Sequence, residues 1–471
     1  DVNTCNDVTT VDAYSSRRIK LFNQVEETGS IITYRCVKCR NCKTCKEHDR
    51  NEMLSIREEV EQDVIDQSVV VQENQELTTA RLPFMQDPKK RLAPNKRCAM
   101  KIYQQQIKKL NNNIKDKEDV IKSEGKLQAL GHVEFVSNLS SEQQKRLNEN
   151  VIQNYIPWRA VWKQNSVSTP CRLVFDASQV TATGYSLNDI LAKGRNGMNK
   201  LQEIFIRWSM YRVGYHTDVQ KMYNSVKLHE DHWCFQRYLW DNQLNPNNSP
   251  VEKVIKTLIY GVRSSGNQAE RGLRKTATLS QDTYPEIADV IKKDIYVDDC
   301  ISGEQTYDTA RQRADELELV LNRGGFKLKG ITFSGQKPPN ALTEDGETIS
   351  VAGMRWNPEK DTLTLDVAEL CFSKKLRGRK KITEESRRIP VKLTRRHCAS
   401  KVAEVYDLLG RVMPIVSSLK LDLHELTTRK LQWDDVLPDE LRSLWQSNFE
   451  MIQELKYLKF NRAIVPSDAK N

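Results

Sequence analysis

The stretch Tyr296-Val297-Asp298-Asp299, with Ile295 before it and Ile301-Ser302-Gly303 after, decides how the chain is read. Two adjacent carboxylates sit between apolar residues. The pattern predicts strand, tight turn, strand, with the aspartates at the turn. Like charges side by side are costly unless a cation lies between them, and hard oxygen donors of this kind suit Mg²⁺. Taken alone, these four residues are more simply a solvated Asp-Asp turn.

A third carboxylate changes that balance. Upstream, Val213-Gly214-Tyr215-His216-Thr217-Asp218-Val219 alternates as a strand and ends at Asp218. Gln268 to Ser280 predicts a helix before the turn. After it, Ala310, Ala314, Leu317 and Leu321 share one helical face, and Gly324-Gly325 stops that helix. Phe326-Lys327-Leu328-Lys329-Gly330-Ile331 then predicts a strand. The order strand, helix, hairpin, helix, strand is the split β-α-β plan of the ferredoxin-like type, an α+β fold class. It would set Asp218 beside Asp298 on neighbouring strands, a two-metal site for phosphoryl transfer.

Four motifs now stand in order: Arg172-Leu173-Val174-Phe175-Asp176-Ala177-Ser178, Thr217-Asp218-Val219-Gln220-Lys221-Met222-Tyr223, Tyr260-Gly261-Val262-Arg263-Ser264-Ser265 and Tyr296-Val297-Asp298-Asp299. The series resembles reverse transcriptases, and more narrowly the polymerase region of BEL/Pao long-terminal-repeat retrotransposons. The resemblance implies a right-hand polymerase with fingers, ferredoxin-like palm and a mainly helical thumb. Its reaction would be template-directed addition of deoxynucleotides to a primer 3′-hydroxyl. Asp218, Asp298 and Asp299, with the Val219 backbone, would hold two Mg²⁺ ions. Lys163 and Arg172, on a hairpin with Pro170 near its turn, would bind the triphosphate of the incoming dNTP. Tyr223 would stack beneath the deoxyribose, its plainer alternative being a core aromatic at a helix start. Gly261 would let the backbone approach the template base pair. Gly266 stands where the family usually has proline. Partners implied are an RNA template, a DNA primer, their RNA/DNA hybrid, dNTPs and other retroelement polyprotein components. Phe175-Asp176-Ala177-Ser178 could instead open an RNase H site, but it precedes Asp218 and lacks the rest of that site.

The composition agrees with such a role. The chain has 471 residues, 29% charged and 38% hydrophobic, with a net charge of +10 that favours polyanionic partners. No run of apolar residues is long enough for a transmembrane helix, so no membrane partner is expected. The start Asp1-Val2-Asn3 lacks an initiator Met, so a fragment or a piece of a polyprotein is expected. Eleven cysteines without a secretory signal predict reduced thiols and an intracellular setting, cytoplasmic (a virus-like particle) or nuclear. Cys36, Cys39, Cys42 and Cys45 recur at every third position, near His48 and among Lys38, Arg40 and Lys43. Such thiolates can ligate Zn²⁺ or an iron–sulfur cluster. Their spacing departs from two separated Cys-x-x-Cys pairs, and a Cys-rich linker is the alternative.

The chain divides into three regions: 1–94, a Cys-rich N-terminal linker region; 95–340, fingers and palm; and 341–471, thumb and connection. Glu47 to Glu76 predicts a polar connector, and Asn95 to about Ile121 a helix. Val351 to Trp356 with Asp361 to Leu363 predicts a hairpin. A basic run comes next, from Lys374 and Lys375 through Arg377 and Arg379 to Arg395 and Arg396, placed to track a duplex backbone unless it is a solvated face. Ala399 to Gly410 predicts a helix, and Pro414 predicts a break in the segment beyond it. These residues with Leu431-Gln432-Trp433-Asp434-Asp435-Val436-Leu437-Pro438 resemble the Pao retrotransposon peptidase (A17) segment. Proteolysis is not inferred, because no Asp-Thr-Gly or Asp-Ser-Gly occurs. A complete RNase H and an integrase are not expected within the chain. Two rivals to polymerase activity stay open: a catalytically inactive nucleic-acid-binding relic, and an aspartic peptidase built on the Pao segment.

Overall fold

The Val213–Val219 strand lies inside a four-stranded antiparallel sheet, with Asp299–Glu304 on one side and Leu328–Phe333 on the other. Ile295–Tyr296 forms the edge beyond Asp299–Glu304. In chain order the four strands therefore lie 2-3-1-4, as the split β-α-β plan requires. The computed structural model describes residues 56–149, 152–162, 171–338, 345–372 and 383–464.

Alternation along the strands gives this sheet two buried faces. On one, Tyr215, Val219 and Cys300 share a core with Leu273, Ile291 and Leu317 from the helices Ser265–Leu279, Pro285–Lys293 and Tyr307–Arg323. On the other, Ile301 meets Ile204, Phe205 and Trp208 of the Leu201–Met210 helix, with Trp356 beyond them. The predicted apolar face of the Tyr307–Arg323 helix is buried at Ala310, Ala314, Leu317 and Leu321. The chain turns after it with Gly325 at φ +78°.

A second core joins the helices Lys96–Leu110 and Ile114–Ala129, the hairpin Trp158–Trp162/Cys171–Phe175, and a sheet ordered Val133–Phe135, Val251–Ile255, Arg237–Trp240. The single helix expected from Asn95 is thus two. The break falls at Asn111–Asn113, where the Asn113 side chain accepts from the Asp116 amide at 3.2 Å and caps a new helix. The stretch expected as a connector is also structured where described. Ile56–Ser68 is helical, and Val69–Gln72 pairs with Leu77–Ala80. Val69 and Ala80 are buried in the first core, so apolar contact, absent from the polar reading of this stretch, holds it in place.

In the C-terminal part, the predicted hairpin grows into a sheet of Ile349–Val351, Met354–Asn357, Thr362–Leu365 and Phe460–Asn461. Arg395–Ala403, Met413–Thr428 and Asp439–Glu454 pack as helices around Leu419, Trp445 and Phe449. Two expectations are corrected here. The first helix ends at Ala403 rather than Gly410, and the Asp407 carboxylate instead accepts from the amides of Arg411 at 2.8 Å and Val412 at 2.9 Å. Pro414 does not break a helix. It sits in the first turn of Met413–Thr428, where its missing N–H has no partner to lose.

Candidate functional site

Antiparallel pairing puts Asp299 directly opposite Asp218. Val297 and Asp298 form the turn between the Ile295–Tyr296 and Asp299–Glu304 strands, closed by Tyr296 opposite Asp299. The Val219 amide donates to the Asp298 carbonyl at 2.7 Å and ties that turn to the central strand. Val297 takes φ +57°, a left-handed conformation that a β-branched residue rarely adopts. Strain of this kind persists where the surrounding structure over-determines it, and it gathers at functional sites.

Electrostatics marks the same three carboxylates as one cluster. Burial, then the charges of Asp218 and Asp299, push the Asp298 carboxyl up to about 6. Burial also raises Asp218, against the pull of Lys329, whose ammonium lies 3.0 Å from Asp218 Oδ2. His216 Nε2 lies 2.9 Å from Asp299 Oδ1. Among the described residues no group of three His, Cys, Asp or Glu side chains converges in a way that could hold a metal ion. The donor type, carboxylate oxygens whose charges act on one another, is the kind a hard divalent cation takes, while the Lys329 ammonium and His216 already engage Asp218 and Asp299. His216 was legible, two residues before Asp218 on one face of an alternating strand. Lys329 was not, because its place opposite Asp218 depends on the pairing of Leu328–Phe333 with the central strand.

Tyr223 and Tyr260 stand beside this cluster. Their rings lie 4.7 Å apart at 40°. Burial, with the Asp298 charge, raises both phenols above their ordinary value. Arg172, exposed on the Cys171–Phe175 strand, is near enough to Tyr260 to pull its phenol back down. Lys163, next after the Trp158–Trp162 strand, lies outside the described residues, as do Cys36, Cys39, Cys42 and Cys45. Gly261 is held at φ +108°, and a Cβ there would fall 1.7 Å from the Phe175 carbonyl oxygen. Its own chain therefore requires glycine. A Cβ at Gly266 would meet the Tyr223 hydroxyl at 3.0 Å, so glycine there leaves room for that ring. A cleft of about 400 Å³ opens here, lined by Met222, Tyr223, Arg263, Gly266, Asn267 and Val297 among others.

The basic run is divided. Lys374, Lys375, Arg377 and Arg379 lie outside the described residues. Arg395 and Arg396 are engaged within the C-terminal helical part: both guanidinium groups approach the Trp433 ring, at 4.6 and 5.9 Å, and Arg396 pairs with Asp434 at 2.8 Å.

Residues 394–471 match the family profile described as Pao retrotransposon-like RNaseH-like domain. The match supports a Pao-type retrotransposon protein. The segment whose sequence resembles a peptidase family thus carries an RNaseH-like description, which implies a nucleic-acid-processing kind of enzyme and fits nucleic acid as partner. No curated protein matches the chain. Among the described residues no helix is long and apolar enough to cross a membrane.

Proposed function

We propose that this Pao-type chain is an RNA-directed DNA polymerase that extends a primer 3′-hydroxyl with deoxynucleotides. One observation carries the reading. Asp218 and Asp299 are register partners, Asp298 is at the adjoining turn, and the strand order is that of a split β-α-β sheet. Asp218, Asp298 and Asp299 would hold the Mg²⁺ ions, which when bound favour the primer alkoxide and the leaving pyrophosphate. Tyr223 would set the floor beneath the sugar, and Arg172 with Lys163 would bind the triphosphate. Lys329, 3.0 Å from Asp218 Oδ2, would position that carboxylate. Template choice would come from base pairing, so the protein would contact duplex shape and phosphates.

The test is primer extension on an RNA template with Mg²⁺. Extension by the parent chain, its loss in Asp218→Asn and Asp298→Asn, and unchanged primer–template binding in both are the expected results. Near-normal extension by either variant sinks the assignment. A catalytically silent nucleic-acid-binding relic is favoured by the hold of Lys329 and His216 on two of the carboxylates. Binding without any extension would select it.

A further inference from the structure

His132, Lys256 and Lys227 lie in a row across three neighbouring backbone segments. The Lys256 amide donates to the His132 carbonyl at 2.8 Å, and the Leu228 amide donates to the Lys256 carbonyl at 2.8 Å. Lys227 itself bridges Thr257. Lys221 precedes the short helix Met222–Ser225 that leads into this row. The register sets His132 beside Lys256 on one face. Lys227 pairs with the next residue, Thr257, yet its charge and that of Lys221 reach the His132 imidazole, and the Lys256 charge reaches Lys227.

The patch is rich in positive charge and poor in counter-charge. Among the described residues, the ammonium groups of Lys221 and Lys227 have neither a hydrogen bond nor an ion pair, although both side chains are partly buried. Lys256 lies over the Trp233 ring, 5.6 Å from its centroid. The carboxylate in its range is Glu134, which already accepts from Gln128 at 3.1 Å, Asn138 at 3.1 Å and the Phe135 amide at 2.9 Å. His132 is only 9% exposed, and its Nδ1 has no partner among the described residues. Burial, then the charges of Lys227 and Lys221, press its imidazole down to about 4. Buried polar groups and like charges left without partners cost free energy that a bound anion returns.

We propose that His132, Lys221, Lys227 and Lys256 form a binding site for a condensed phosphate, with inorganic pyrophosphate as its simplest form. A nucleic-acid strand presents its charges one per nucleotide and is met by a stripe of cations. A clustered patch with a buried imidazole instead matches several charges on one small anion. Lys221 is three residues beyond Asp218, so where the polymerase reading holds, the site stands near the point at which pyrophosphate is released. The binding inference itself does not depend on that reading.

The probe is sodium pyrophosphate, titrated calorimetrically into the full chain at low salt with EDTA present, so that no metal at the carboxylates contributes. One site is expected, weakened at least tenfold by Lys227→Met and by Lys256→Met, with dAMP binding far more weakly. The His132 imidazole, followed by NMR, should titrate at higher pH when pyrophosphate is present. Lys227→Met should melt no lower than the parent, since it removes a repulsion, which separates lost binding from lost folding. Absence of binding, parent-like binding by both methionine variants, or equal affinity for dAMP would overturn the proposal. So would loss in the variants of single-stranded oligonucleotide binding alone. Failure of primer extension refutes the polymerase reading and leaves this result untouched.

Discussion

At the scale of single residues, Asp298 and Tyr223 give the sharpest expectations. The Asp298 carboxyl is raised to about 6 from an ordinary 3.8. A carboxyl raised in the folded state binds more protons there than in the unfolded chain. Its penalty is therefore absent below about 4, grows as pH climbs to about 6, and is full above that. Two units correspond to about 2.7 kcal/mol, and screening at a partly exposed turn reduces this to about 1–2 kcal/mol. In EDTA, Asp298→Asn should melt above the parent at pH 7.5 and level with it near pH 4. Millimolar Mg²⁺ should then raise the melting temperature of the parent more than that of the variant. Equal melting curves across this window would show that the Asp298 carboxyl is not raised in the folded chain. Tyr223 is positioned against Tyr260, so its ring cannot swing away without repacking. On the polymerase reading, a ribose hydroxyl would clash with that ring, and a hundredfold preference needs only about 2.7 kcal/mol. Tyr223→Ala should raise ribonucleotide incorporation, and Tyr223→Phe should discriminate nearly as well as the parent. Single-nucleotide insertion with matched ribo- and deoxynucleotides measures both. Parent-like discrimination by the alanine variant would make Tyr223 an ordinary core aromatic.

At the scale of elements, two tight backbone approaches build the site. Gly261 packs its backbone onto the Phe175 carbonyl, where any side chain would overlap and the left-handed φ would add strain. Gly261→Ala should cost about 3 kcal/mol or more in urea unfolding, among the larger effects of a single methyl. A loss under about 0.5 kcal/mol, the range of neutral surface changes, would refute this packing. The turn at Val297 runs the other way. Holding an L-residue at its φ of +57° costs about 1–2 kcal/mol, and glycine in its place loses about 0.5–1 kcal/mol through chain entropy. Val297→Gly should leave stability unchanged or slightly raised. A clear fall would mean that the valine methyls contribute more than the strain removes.

At the scale of the whole molecule, Arg462 binds the C-terminal strand to the central sheet. It is fully buried. Its guanidinium makes both bonds to Asp361 at 2.7 Å and donates to the carbonyls of Tyr211 and Arg212 at 3.0 Å and of Trp208. All five donors are used. Gly214 is small because a Cβ there would meet the Arg462 side chain at 2.8 Å. Arg462→Met would take both guanidinium bonds from the Asp361 carboxylate, which keeps the Trp356 indole N–H at 3.0 Å, and one bond from each of three carbonyls, an expected loss of about 3–5 kcal/mol. Chemical unfolding checks the size. A loss below about 1 kcal/mol would mean that water replaces the guanidinium without strain.

Several features were legible in the sequence alone, because they depend on neighbours along the chain. Alternation at Val213 to Val219, the helical face of Ala310, Ala314, Leu317 and Leu321, and the turn at Asp298 are local periodicities, and each is found where they point. The strand order followed from their succession. Other features required the folded chain. Lys329 reaches Asp218 only through strand register, and the row of His132, Lys256 and Lys227 is assembled from residues far apart in sequence. The extra length of the Ala399 helix failed to form because the Asp407 carboxylate turns back onto the following amides, a bond periodicity does not encode. Arg395 and Arg396 read as a polyanion-binding run, yet they are spent on Trp433 and Asp434. Sequence determined which residues could carry charge and chemistry; the tertiary structure decided which of those charges met a partner, because pairing depends on distance through space.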